Sequence, residues 1–192
     1  MMYHLTEQDN QEKRIGRMTH YKLKSGLPIQ VRHITTADAA HFVDIFNHMG
    51  PDSRYRRFHQ PLVNPSEAMI WREAERIAQA APGHSDGLIA FFKTDDNVLV
   101  PIGASRYISI SPGIVEVAMS VRDDFQGQGV GTLLLQLLTE EAHKAGIQKM
   151  VGTIQNSNEA MWAVMDRLAF PLLRRVEGTE STIEIDLTRR TS

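Results

Sequence analysis

Cysteine is absent from all 192 residues, which removes disulfides, thiolate metal ligands and a cysteine nucleophile from consideration. No apolar run approaches the ~20 residues needed to span a bilayer. The first 17 residues are polar and lack the apolar middle of a signal peptide. Charge of one sign is also missing: 21 Lys and Arg face 23 Asp and Glu, a formal net charge of -2 with pI near 6.4. Without a basic field, neither nucleic acid nor an anionic membrane is an expected partner. A cytoplasmic setting is the default for such a chain. The eight histidines form no H-x-x-x-H pair, so no metal is expected. Internal repeats and low-complexity segments are lacking too.

What is present suits one compact unit. Length and 42% hydrophobic composition allow a sizeable core. Residues 1–25 read as a polar N-terminal arm, and residues 26–192 as the domain proper. Within the domain, residues 27–35 read as a strand, followed by a helix capped by Thr36 and running to about Met49. Gly50 and Pro51 make a turn into the basic aromatic stretch Ser53-Arg54-Tyr55-Arg56-Arg57-Phe58. A second helix is expected over residues 66–80, closed by Pro82 and Gly83. Strands over 88–93, 98–110 and 114–122 form an antiparallel meander. A long amphipathic helix follows over 130–145, ended by Gly146. A strand at 150–154, a short helix at 158–168, and a hairpin of 172–176 with 182–187 turning over Gly178 complete the pattern.

Chemistry concentrates at residues 126–131, Gln126-Gly127-Gln128-Gly129-Val130-Gly131, between the third meander strand and the long helix. Three glycines in six residues let backbone N–H groups turn inward, and the helix start adds unpaired N–H groups and a positive dipole end. The segment therefore reads as a pyrophosphate cradle. Its glycines alternate as G-x-G-x-G, unlike the G-x-G-x-x-G of a Rossmann unit, and no Lys-Ser/Thr follows as in a Walker loop. The pattern that fits is Q-x-x-G-x-G, from Gln126, Gly129 and Gly131.

In this setting the chain resembles the GNAT superfamily of N-acetyltransferases. Residues 115–147 are most similar to the acetyltransferase domain of bacterial protein lysine acetyltransferases. Residues 53–58 resemble the S-x-Y-x-R-F segment of that subgroup, and Asn158 with Met161 and Phe170 resembles its N-x-x-M…F ending. The resemblance implies an α/β (α+β) GNAT fold: a mixed, mainly antiparallel twisted sheet of about seven strands with helices on both faces. It implies acetyl-CoA as co-substrate and no metal. The backbone of Gln126, Gly127, Gln128, Gly129, Val130 and Gly131, with Thr132, would hold the pyrophosphate. Met119 and Val121 would bond the pantetheine arm through a strand splayed from residues 150–154, with Asn158 as a side-chain contact. Asn158 equally suits a helix N-cap.

Glu116 lies in Ile114-Val115-Glu116-Val117-Ala118-Met119, the least polar strand. Alternation puts it on one face with Ile114, Ala118 and Ser120. Apolar neighbours would desolvate its carboxylate and make it a better general base, whereas an exposed edge position would leave it merely solvated. In the similar lysine acetyltransferases, a glutamate at this position is the base. An amine needs one, because a lysine ammonium with pKa about 10.4 is almost wholly protonated at neutral pH. Transfer would then be direct, with a backbone N–H in residues 119–121 facing the oxyanion. Met165 stands where many members carry a thiolate-protonating tyrosine, and Ala169 where a glycine commonly precedes the phenylalanine.

The expected acceptor is a primary amine: a protein lysine from the subgroup resemblance, or a small-molecule amine. A CoA-binding sensor without turnover is the rival from another class, and the composition leaves a homodimer open. Arg54, Arg56 and Arg57 read either as an anion-recognising cluster or as a charged helix end with its aromatics packed inward.

Overall fold

A computed structural model describes residues 17–60, 62, 64–79 and 85–191. Its centre is one eight-stranded sheet in the order β1-β2-β3-β4-β5-β6-β8-β7. The strands are β1 (Thr19–Lys22), β2 (Pro28–His33), β3 (Ser85–Lys93), β4 (Leu99–Ser111), β5 (Ile114–Val121), β6 (Lys149–Gln155), β7 (Leu172–Glu177) and β8 (Glu180–Asp186). Every pairing is antiparallel except β5 with β6. That parallel pair is joined through helix α4 (Val130–Lys144), the crossover that parallel neighbours require.

The eighth strand is β1. It lies inside the stretch expected to be a polar arm, and it pairs with β2 from Thr19↔Val31 to Lys22↔Pro28. Edge strands tolerate polar residues because one side faces water, so composition hid it. Residues 1–16 lie outside the described residues.

Among the described residues there are four other α-helices, α1 (Ala39–Asn47), α2 (Pro51–Phe58), α3 (Glu67–Ala78) and α5 (Glu159–Met165), and one short 3-10 turn, Asp123–Phe125. The second helix, expected to run to Ala80, ends at Ala78 with Gln79 as its C-cap; Ala80, Pro82 and Gly83 lie outside the described residues. Thr36 does not cap α1. Asp38 occupies the cap position, and its carboxylate turns back to accept from Thr35 N at 2.7 Å and from Arg32 Nη1 and Nη2 at 2.7 and 2.6 Å. The basic stretch 53–58, read as following a turn, is helical: Pro51 takes the first position, where its missing N–H costs nothing. Asn158 and Ser66 cap α5 and α3 by accepting from Met161 N and Met69 N.

Both sheet faces are covered. On one, α4 buries Leu134, Leu135, Leu138 and Ala142 against Ile102, Val115, Met150 and Ile185. The spacing i, i+1, i+4, i+8 is one helical stripe. On the other, Ile45 and Met49 pack against Ile89, Phe91 and Ala104. Phe58 of α2 stacks against Phe46 of α1, ring centroids 5.8 Å apart. Each fully buried Leu or Ile contributes about 1.5–3 kcal/mol, so these two layers fix the sheet between its helices. Among the described residues, no helix is long and apolar enough to cross a membrane.

Candidate active site

The β5–β6 pairing covers only Ile114↔Lys149, Val115↔Met150 and Glu116↔Val151. Beyond Glu116 the two strands diverge, and residues 117–121 have no partner in β6. A cleft of about 290 Å³ opens there. Its lining includes Met119, Val121, Gln126, Gly127, Gly129, Val130, Gly131, Thr132 and Asn158. Thus nine of the ten residues expected at the cofactor site share one cavity. Gln128 does not line it: its carbonyl accepts from Ser25 Oγ, and its amide donates to Asp124 O.

The glycines act locally in two ways. Gly127 and Gly129 have φ of +72° and +97°, in the region that costs an ordinary L-residue about 1–2 kcal/mol. Gly129 is the N-cap of α4, so the helix starts without any side-chain cap and presents free N–H groups to the cleft. Gly131 instead admits a neighbour: a Cβ there would stand 3.2 Å from Met119 Cε.

The loop entering α4 is held from below. Arg122 is buried, with Nη2 on Asp124 at 2.7 Å and Nη1 on Asp44 at 3.3 Å. Its bond holds the Asp124 carboxyl below the usual range. Gly50 N donates to Asp123 Oδ2 at 2.7 Å. Gln126 Nε2 donates to Asp123 Oδ1, Val121 O and Ser53 Oγ at 2.9, 3.1 and 3.3 Å. These bonds couple the cradle to α2. Arg56 and Arg167 add guanidiniums to the cleft wall, which suits a phosphate-bearing molecule. Asn158 keeps both its readings: Oδ1 caps α5 at 3.2 Å from Met161 N, while the residue also faces the cleft.

A second cavity of about 600 Å³ lies behind β5, between the sheet and helices α1, α2 and α3. Glu116, Ala118 and Ser120 line it, as the alternation of β5 requires. Glu116 is exposed within it, not enclosed by the apolar neighbours expected from its strand. The neighbouring side chains point to opposite sheet faces, and besides Ile108, the register partner of Glu116, the opposite strand supplies a cation. That cation is Arg106, paired in register with Ala118.

Met49, Arg57, Met119 and Ser120 line both cavities, which therefore meet at mid-β5. Arg57 Nε donates to Ser120 Oγ at 3.2 Å. Burial, followed by the charge of Arg106, pushes the Arg57 guanidinium down to about 10, so it remains charged at neutral pH. Burial also lowers Arg106, with Arg76 as the next cause. Sequence reasoning missed Arg106 and Ser120 as cavity residues. Arg57 belonged to a recognised basic cluster, but only the fold shows that Arg54 stacks on Phe46 at 4.2 Å, Arg56 faces one cavity and Arg57 faces both.

Met165 is buried in the core, and among the described residues no tyrosine lines either cavity. Among the described residues, no group of three His, Cys, Asp or Glu could hold a metal ion.

Residues 29–171 match the family model of the acetyltransferase (GNAT) domain. The chain is 28% identical over 138 residues to Acetyltransferase Pat of Mycolicibacterium smegmatis, covering 71% of this chain and 39% of that protein. It thus spans about two-fifths of that relative's length. It is 25% identical to the L-amino acid N-acyltransferase MnaT of Escherichia coli, covering 83% and 91% of the two chains. The crystal structure of the GNAT domain of S. lividans PAT superposes with a TM-score of 0.73 at 26% identity, covering 88% of this chain and 96% of that one.

Proposed function

Because this chain belongs to the GNAT acetyltransferase family, with acetyl-CoA as co-substrate, we propose that it acetylates a primary amine by direct attack, with Glu116 as general base. The observation that carries this is the end of β5–β6 pairing at Glu116↔Val151. One strand then carries a carboxylate in the second cavity and, three to five residues on, the free edge of the cleft.

Acetyl-CoA supplies the acetyl group as a thioester. The backbone of Gln126, Gly127, Gly129, Val130 and Gly131, with Thr132, holds its pyrophosphate, since uncapped N–H groups at a helix start favour anions. Met119 and Val121 receive the pantetheine amides along the unpaired edge, and Asn158 supports them from α5. Glu116 takes the proton from the acceptor ammonium, directly or through one water. A backbone N–H within residues 119–121 donates to the carbonyl oxygen as charge develops there. No side chain of the protein is acylated. With Met165 in place of a tyrosine, solvent protonates the thiolate, a good leaving group at pKa about 8.5 for a cysteine-like thiol.

Similarity to the Pat proteins supports a protein lysine as acceptor. A small-molecule amine is the second reading, favoured by the 600 Å³ volume of the second cavity and by the similarity to an amino-acid N-acyltransferase. A cytoplasmic setting agrees with the cysteine-free composition. The test is mass spectrometry after incubation with acetyl-CoA and a cell extract split into protein and metabolite fractions. Acetylated products in either fraction, absent with Glu116→Gln, are expected. Tight acetyl-CoA binding with no acetylated product would favour a sensor.

A further inference from the structure

The second cavity distinguishes the two acceptors by its charge. Four guanidiniums line it, from Arg57, Arg72, Arg76 and Arg106, against the two carboxylates of Glu73 and Glu116. Four minus two leaves a local excess of +2 in a chain whose net charge is -2. Arg76 is already matched by Glu73, at 2.6 and 2.8 Å. Arg57 bonds only a neutral hydroxyl, Ser120 Oγ, among its described hydrogen bonds.

Arg106 is the decisive group. It is only 8% exposed, and its Nε and Nη1 have no hydrogen-bond partner. Among the described residues, no carboxylate forms an ion pair with it. A buried guanidinium short of hydrogen-bond partners is costly, and Glu73 and Glu116 act on this one only through their charge. Gly87 lies opposite it on β3, where a Cβ would stand 2.5 Å from Ile34 Cδ1 and 2.8 Å from both Arg106 Cβ and Ser105 O, so β3 and β4 are closely packed beside it.

We propose that the acceptor carries a carboxylate beside its amine, an α-amino acid, and that Arg106, assisted by Arg57, binds that carboxylate. This rests on the reading of the cavity as the acceptor site. Register supports the geometry. Arg106 pairs with Ala118, and Glu116 lies two residues away on the same face, a diagonal separation of about 7–8 Å between backbones. Side chains reaching inward from both positions would hold a carboxylate at one and an amine at the other. A planar guanidinium suits a carboxylate through paired N–H donors. The volume suits a small molecule, and Phe42, Ile45, Ile70 and Ile77 on the helix side favour an apolar side chain. A simple alkyl ammonium, bringing positive charge only, lacks the partner that Arg106 requires.

The experiment uses the full chain and two readouts. Release of CoA thiol is followed with leucine, methionine and phenylalanine, their primary amides, and a lysine peptide with blocked ends. Binding of the same amino acids in the presence of CoA is measured by calorimetry. The expected result is turnover of at least one acid, with kcat/KM lower for its amide by about 30-fold or more, the scale of losing a buried charged partner. Arg106→Gln should raise KM for the acid by a similar factor while the acetyl-CoA Kd stays unchanged, and should shrink the acid-to-amide preference. Should Arg106→Gln not fold, Arg106→Lys and Arg57→Lys are read for the same loss of preference.

Equal use of acid and amide, or preference for the blocked lysine peptide, would overturn the carboxylate subsite while leaving acetyl transfer intact. Binding of the acids that Arg106→Gln abolishes, without any turnover, would uphold the subsite and overturn the transfer reading. Absence of both binding and turnover for every acid would overturn the subsite.

Discussion

Arg57 Nε donates to Ser120 Oγ over 3.2 Å, and this bond stands where the two cavities meet. It links α2 to the strand that bears Glu116. Removing the hydroxyl strands a guanidinium that burial already disfavours, at about 1–3 kcal/mol. Ser120→Ala is expected to lower the urea-unfolding free energy by that amount and to raise the acceptor KM, with little change in acetyl-CoA affinity. Parallel KM and Kd measurements check it; an effect confined to acetyl-CoA would place Arg57 in the cofactor site alone.

The Gly129 N-cap gives a paired test of the cradle. Gly129 at the start of α4 and Gly146 beyond its end have φ of +97° and +79°. Alanine should destabilise either by about 1–2 kcal/mol. Only Gly129→Ala is expected to weaken acetyl-CoA binding, because Gly146 lines neither cavity. Thermal unfolding and calorimetric titration of both variants compare the two effects.

Asn158 separates capping from binding. Asn158→Ser keeps an oxygen for Met161 N, so stability should change by less than about 0.5 kcal/mol. It removes the amide donor, which should reduce acetyl-CoA affinity by about fivefold, the effect of one hydrogen bond near 1 kcal/mol. Unchanged affinity would leave Asn158 as a cap only.

Asp38 sets an acid limit on stability. It is 2% exposed; burial alone would raise its carboxyl, but the bonds from Arg32 and Thr35 outweigh burial and hold it below the usual range. As pH falls, the unfolded chain therefore takes up this proton first. The stabilisation is present above the unfolded value of about 3.9 and is lost as pH falls through the lower folded value. Asp38→Asn should cost roughly 2–3 kcal/mol at pH 7, and the gap from wild type should close toward pH 3. Urea midpoints measured at pH 7, 5 and 3 test this; a pH-independent gap would contradict it.

How far sequence carried depends on whether a signal is local. The Gln126-to-Gly131 segment, the β4–β5 meander and the stripe on α4 were legible, because periodicity and glycine conformation act over a few residues. Helix α2 was not: its eight residues are mostly polar, bury none of their side chains fully and are ordered by Phe58 on Phe46. Strand β1 was hidden for the same reason, being polar and stabilised by its pairing with β2. The second cavity was least legible. Arg106 occupies an ordinary alternating position on β4, and only its register with β5 shows that Glu116 shares its face.

The central claim is that Glu116 removes the acceptor's proton from the end of the splayed strand. Its most direct test is Glu116→Gln, which preserves shape and removes the base. On the acceptor identified by product analysis, kcat should fall by at least about 100-fold, with acetyl-CoA Kd and thermal stability unchanged. The residual rate should rise with pH as free amine forms. A kcat within about threefold of wild type, with the same pH profile, would contradict it.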